Sequence, residues 1–106
     1  MQVKVTGRHM SVTEAIKSYA EEKAERLIRF HRRIQEIRVV LDFEGGLPKV
    51  EFIVDVERAG DFVGHETGKD VYAAIDAVVD KLERQLREHQ ARIKQRHKGR
   101  QDEATG

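Results

Sequence analysis

The segment from residue 70 to residue 98 restricts the fold more than any other part of the chain. Val71, Ile75, Val78/Val79, Leu82, Leu86 and Ile93 recur at a spacing of 3.6 residues, which predicts one long amphipathic helix. A stripe of that kind must be buried against a sheet or another helix, so a free-standing rod is excluded. Asp70 suits the N-cap or first turn, where an acid faces unpaired amides, and Gly99 suits the C-cap. At 100° per residue, Arg84, Arg87, Lys94 and Lys98 fall opposite the stripe. Only Glu83 and Glu88 interrupt the positive charge between Lys81 and Arg100.

The preceding chain supplies a surface for this helix to cover. Residues 2–6 alternate polar and apolar, as a strand does, and Gly7 ends the run. Ser11 to Glu14 has the spacing of a capping box, with Thr13 as a rival N-cap. A second helix is predicted over about 13–30, with Val12, Ile16, Tyr19/Ala20, Leu27, Phe30 and Ile34 on one stripe and Phe30 assigned to the core. Lys23 falls inside that stripe; its stem is expected to pack while its ammonium emerges at the groove between the helices. Residues 36–44, 49–58 and 62–67 read as strands, separated by turns at Gly45-Gly46 and Ala59-Gly60-Asp61. Pro48 fits a strand start, where its missing N–H costs little.

The resulting order is β-α-β-β-β-α, an α+β domain of the double-stranded-RNA-binding type. A four-stranded sheet would have both helices on one face. The last three strands should be antiparallel, and the first should run parallel to the second through a right-handed crossover. The expected domain spans residues 1–98, with residues 99–106 as a polar, disordered tail. The other sheet face should be acidic, carrying Asp42, Glu44, Glu51, Asp55 and Glu57.

A net charge of +1 conceals opposed blocks. Residues 1–33 hold eight Lys/Arg against four Asp/Glu, residues 34–80 four against eleven, and residues 81–100 eight against two. The two basic blocks contain the two helices, so a basic helical side should back onto an acidic sheet. Arginine outnumbers lysine in the last block, which suits planar contacts with phosphates and bases. Six to ten such residues neutralise several phosphates and release their counterions. The charge pattern therefore points to RNA, with Phe30, His31, Arg8 and His9 as candidates to stack on unpaired bases.

Other chemistries find little support. Without cysteine, a disulfide frame, a thiolate metal site and a cysteine nucleophile are excluded. The five histidines show no zinc-hydrolase spacing, and no phosphate-binding glycine loop or nucleophile elbow occurs. We expect no catalytic site, no cofactor and no metal. No stretch reaches the ~20 apolar residues that span a bilayer, and the first ten residues do not read as a signal peptide, so the expected location is the cytoplasm.

Two stretches carry a closer likeness. VKVTGRHMSVTEAIKSYAEEKAERLIRF and DVYAAIDAVVDKLERQLREHQARIK resemble the ribosome hibernation-promoting factor family, also described as ribosome-associated inhibitor or sigma-54 modulation proteins. The Asp70–Leu86 run is the more specific part, and the likeness covers about residues 1–98. The resemblance implies binding to 16S rRNA of the small ribosomal subunit, between head and body, over the positions of mRNA and the A- and P-site tRNAs. Translation would stop in stress or stationary phase. Carried over by position, the RNA-binding residues are Lys23, Arg26 and Arg29 on the first helix, Lys81, Arg84, Arg87, Arg92 and Lys94 on the second, and Arg8 and His9 in the loop after the first strand. The chain resembles the short form, which lacks the second domain that dimerises ribosomes, and is expected to be monomeric away from the ribosome and to take no small-molecule substrate. Glu88, His89 and Gln90 stand where the family would be expected to carry more lysine. The alternatives are a general double-stranded RNA module, whose G-P-x-H loop and K-K-x-A-K helix start are not found here, and an adaptor that binds proteins through its acidic sheet.

Overall fold

The computed structural model describes residues 2–105, with side chains described as far as Ile93. The elements are β1 (Gln2–Gly7), α1 (Glu14–Phe30), β2 (Ile34–Glu44), β3 (Leu47–Val56), β4 (Gly60–Thr67) and α2 (Val71–Thr105). The β-α-β-β-β-α order matches the pattern in the sequence. The sheet order is β1-β2-β3-β4, with β1 parallel to β2 and the two later pairs antiparallel.

Alternation along the strands sends one set of side chains toward the helices. Ile37, Val39 and Leu41 of β2 and Val50, Phe52, Val54 and Val56 of β3 are buried against Ala20, Ala24 and Leu27 of α1 and Ala74, Ile75, Val78, Val79, Leu82 and Leu86 of α2. Gly64 of β4 lies opposite Phe52, and a Cβ there would come within 3.2 Å of the Leu82 Cγ and 3.4 Å of Val78. The bare backbone at Gly64 thus lets α2 lie close to β4. The turn between β2 and β3 is a two-residue loop with Gly45 at φ +59° and Gly46 at φ +79°, the conformation that favours glycine at both positions.

Several local expectations need correction. The N-cap of α1 is Thr13, whose hydroxyl accepts from the Ile16 amide at 3.1 Å, and not Ser11. The turn before β4 is Glu57-Arg58-Ala59, closed by the Ala59 amide donating to the Val56 carbonyl; Gly60 already belongs to the strand, and Arg58 takes the left-handed conformation at φ +65°. Gly99 falls within the span of α2 and not at its cap. The tail expected over residues 99–106 lies beyond the described side chains. Asp70 does cap α2, accepting from the Tyr72 amide at 2.9 Å.

The open sheet face is acidic on balance, as expected, but it also carries cations. The strand register sets Lys4 beside Arg38, Ile53 and Val63, and Asp42 beside Lys49. Glu36, Glu51, Asp55 and Asp61 share this face, and Arg38 Nη2 stands 3.8 Å from Asp61. Lys4, Arg38 and Lys49 stand among these acids and offset part of their charge.

Candidate nucleic-acid interface

The basic residues of the two helices do not form one uniform patch. They divide into a seam, an outer ridge and a flank. The seam lies where α1 and α2 pack side by side. Tyr19 meets Tyr72 and Asp76, Lys23 meets Asp76, Arg26 meets Glu83, and Phe30 meets Arg87. The contacts advance along both helices together, so the helices run parallel.

Most cations of the seam already hold acids. The Arg26 guanidinium lies 2.9 Å from Glu83. Lys23 Nζ lies 3.6 Å from Asp76 and 5.3 Å above the Tyr19 ring, with its side chain mostly covered. Lys23 thus packs its stem and brings its ammonium out between the helices, as its place in the stripe implies. The Tyr19 hydroxyl donates to the same Asp76 carboxylate at 2.7 Å, and that bond, with partial burial and the nearby acid, pushes the phenol up to about 12.

Phe30 closes the seam, and it is not core: the residue is 39% exposed. The residue that reaches it from α2 is Arg87, whose guanidinium sits 5.5 Å from the ring centroid. His31, by contrast, is only 2% exposed and is not available for stacking on a base from solvent. Its ring stacks at 6.3 Å on His89, which in turn meets Phe62. Burial, aided by His89 and Arg33, holds the His31 imidazole below its ordinary range.

The outer ridge is Arg84, exposed and turned away from the buried stripe, and the exposed Arg87 joins it to the seam. Lys81 and Arg92 lie almost in line, about 20° apart on the helical wheel, on the flank toward β4. There Lys81 pairs with Glu66. Among the described residues, no acid lies within 4 Å of Arg29, Arg84, Arg87 or Arg92. Lys94 lies on α2 outside the described side chains.

Arg8 and His9 do not join the helical cations. Arg8 lines a crevice with Val40, Asp42, Lys49 and Glu51, at one end of the open sheet face. His9, in the left-handed region at φ +56°, lies 3.3 Å from Asp42. The Asp42 carboxyl is held below the usual range, chiefly by the Phe43 amide bonded to it at 2.7 Å and secondarily by His9. Two features escaped the sequence pattern. One is the pairing of Arg26, Lys23 and Lys81 with acids on other elements. The other is the cavity beside His31, lined by Arg29, Phe30 and Ile93. The first joins residues 57 positions apart, as in Arg26 and Glu83; no local spacing encodes it.

A four-stranded sheet backed by two parallel helices, with cations along the outer helical layer, defines a small α+β binding domain. Among the described residues, no helix is long and apolar enough to cross a membrane. Residues 3–94 match the model of the family described as Sigma 54 modulation protein / S30EA ribosomal protein, and the chain belongs to that family. Its relatives include the ribosome hibernation promoting factor of Azotobacter vinelandii, 38% identical over 93% of this chain and 92% of that protein. That of Escherichia coli K12 is 35% identical over 90% and 99%. Among solved structures, the N-terminal domain of Thermus thermophilus Protein Y superposes with a TM-score of 0.74 at 37% identity, over 84% of this chain and 99% of that one. A ribosomal subunit interface protein from Coxiella burnetii, at 22% identity, shares the fold with a TM-score of 0.78, over 86% and 99%.

Proposed function

We propose that this protein is a ribosome hibernation factor of the cytoplasm that binds the small ribosomal subunit between head and body. It contacts 16S rRNA through its helical layer, covers the mRNA and tRNA positions, and stops translation under stress or in stationary phase. The observation that carries this reading is the set of guanidiniums on that layer with no acidic partner among the described residues: Arg29, Arg84, Arg87 and Arg92. They stand on helices anchored by buried stripes, so they are held as a rigid surface, suited to a folded RNA of fixed shape. The names of the relatives, ribosome hibernation promoting factors, support the same target.

The test is sedimentation with vacant small subunits across a salt series. Wild-type protein is expected to co-sediment at low salt, to compete with tRNA and mRNA, and to be released as salt rises. Arg84→Glu/Arg87→Glu is expected to lose more than tenfold in affinity and to show a shallower salt dependence. Unchanged binding in that variant sinks the assignment of α2, and no binding by the wild type sinks the function.

A further inference from the structure

The open face of the sheet lies opposite the helical layer, because both helices pack on the other side. Its charge is polarised across the strands. Lys4, Arg8 and Arg38 stand toward β1 and β2, and Glu51, Asp55 and Asp61 toward β3 and β4. Arg38 is engaged with Asp61 at 3.8 Å, and Lys49, the cation of β3, with Glu44 at 3.7 Å. Among the described residues, no cationic nitrogen lies within 4 Å of Glu51, of Asp55, or of Glu36 beside Asp55.

An apolar patch sits between these carboxylates. Side chains alternate along a strand, so Glu51, Ile53 and Asp55 follow one another on the open face, ~7 Å apart. Val63 pairs with Ile53 from β4 and is 45% exposed. Val40 pairs with Glu51 from β2, which sets it diagonal to Ile53. Val40, Ile53 and Val63 thus form one patch, framed along β3 by an acid on either side. An extended chain laid along β3 repeats with the same ~7 Å period, so a cation–x–apolar–x–cation segment meets acid, apolar, acid in step. A helix, whose same-face residues recur every ~5–6 Å, falls out of step.

We propose that the β3–β4 half of the open face docks an extended Lys/Arg-rich segment of a partner protein. Its central apolar side chain rests on Val40, Ile53 and Val63, and its flanking cations pair with Glu51 and Asp55. His65, beside Glu51, borders the track. The same carboxylates repel a polyanion, so the two faces take partners of opposite charge and can be occupied together. Exposed ion pairs are individually weak and are screened by salt, so binding is modest and salt-sensitive.

The test is fluorescence anisotropy of the full chain with a labelled, acetylated peptide carrying the repeat Lys-Thr-Val-Thr-Arg, at low and high salt, followed by NMR of the backbone amides. The peptide is expected to bind saturably at low salt, at least tenfold tighter than a peptide of the same composition with its cations grouped together. The largest amide shifts are expected at Glu51, Ile53, Asp55 and Val63. Glu51→Lys/Asp55→Lys is expected to lose at least tenfold in affinity. The neutral Glu51→Gln/Asp55→Asn is expected to lose several-fold, and it keeps the test decisive if charge reversal disturbs the sheet. Ile53→Thr, still β-branched, is expected to lose several-fold at both salt concentrations. Equal binding of the rearranged peptide, full affinity in the charge-reversed variant, or shifts centred on Arg84 and Arg87 overturn the proposal. A random RNA duplex that shifts the same amides overturns it in favour of nucleic acid. A dimer of the unliganded chain in sedimentation equilibrium, separated by Glu51→Lys/Asp55→Lys, overturns it in favour of a second copy.

Discussion

Thr13 and His31 show how much rests on single side chains at the ends of α1. Thr13 satisfies an amide that the helix itself leaves unpaired, and Ser11 has no such role. Thr13→Ala is expected to cost about 1 kcal/mol, while Ser11→Ala stays within about 0.5 kcal/mol. For a domain of this size the first shifts the thermal midpoint by roughly 4–8 °C, readable by circular dichroism. His31 ties stability to pH. Burial, the main cause, lowers its folded-state affinity for protons below that of the unfolded chain, near 6.5. The unfolded state therefore binds the extra proton, and this contribution is complete above about pH 6.5. It is lost as pH falls from there toward the lowered folded value, at no more than about 1.4 kcal/mol per pH unit. Urea unfolding at pH 7.5 and pH 5.5 should show the loss in wild type and a smaller one in His31→Phe.

The elements were the part most legible in the sequence, because periodicity reports directly on which side is buried. Both helices and all four strands follow from stripes and alternation, and the Gly45-Gly46 turn follows from its dipeptide. What periodicity does not encode is where a stripe stops being covered. Phe30 lies on the α1 stripe, yet α1 ends there, and the facing residue on α2 is Arg87, so the ring meets a guanidinium and solvent. Ile93 likewise continues the α2 stripe but is exposed; among the described residues of α2, Leu86 is the last that is buried. Gly64 is the inverse case: a glycine that weakens a strand locally but sets the distance between sheet and helix. Gly64→Val forces a branched side chain into Leu82 and Val78, and is expected to cost about 1–3 kcal/mol by urea unfolding. An unchanged midpoint would mean that α2 can move away from β4 without penalty.

At the scale of the whole molecule, the block charges gave the right side for the helical cations but not their partners. Helices rich in Lys/Arg and a middle segment rich in Asp/Glu suggested two opposed faces. Each face also carries the opposite sign: Glu66, Asp76 and Glu83 stand at the helical layer, and Lys4, Arg38 and Lys49 on the open sheet face. The pairs at Arg26, Lys23 and Lys81 have a consequence for partner choice. At distances beyond the ~8 Å screening length of physiological salt, each pair acts as a dipole and not as a charge. The far field is thus set by fewer cations than the helices contain, and stray polyanions are attracted weakly. On the proposed RNA-binding reading, only an RNA shaped to bring phosphates into contact displaces the carboxylates and recruits those three side chains. The acids act as a toll on indiscriminate binding, collected before any base is read. Glu83→Gln, which frees Arg26, is expected to raise affinity for unrelated RNA duplexes several-fold and to steepen its salt dependence by close to one ion. Fluorescence anisotropy with a random duplex at two salt concentrations measures both, and an unchanged slope would mean that Arg26 remains neutralised without Glu83.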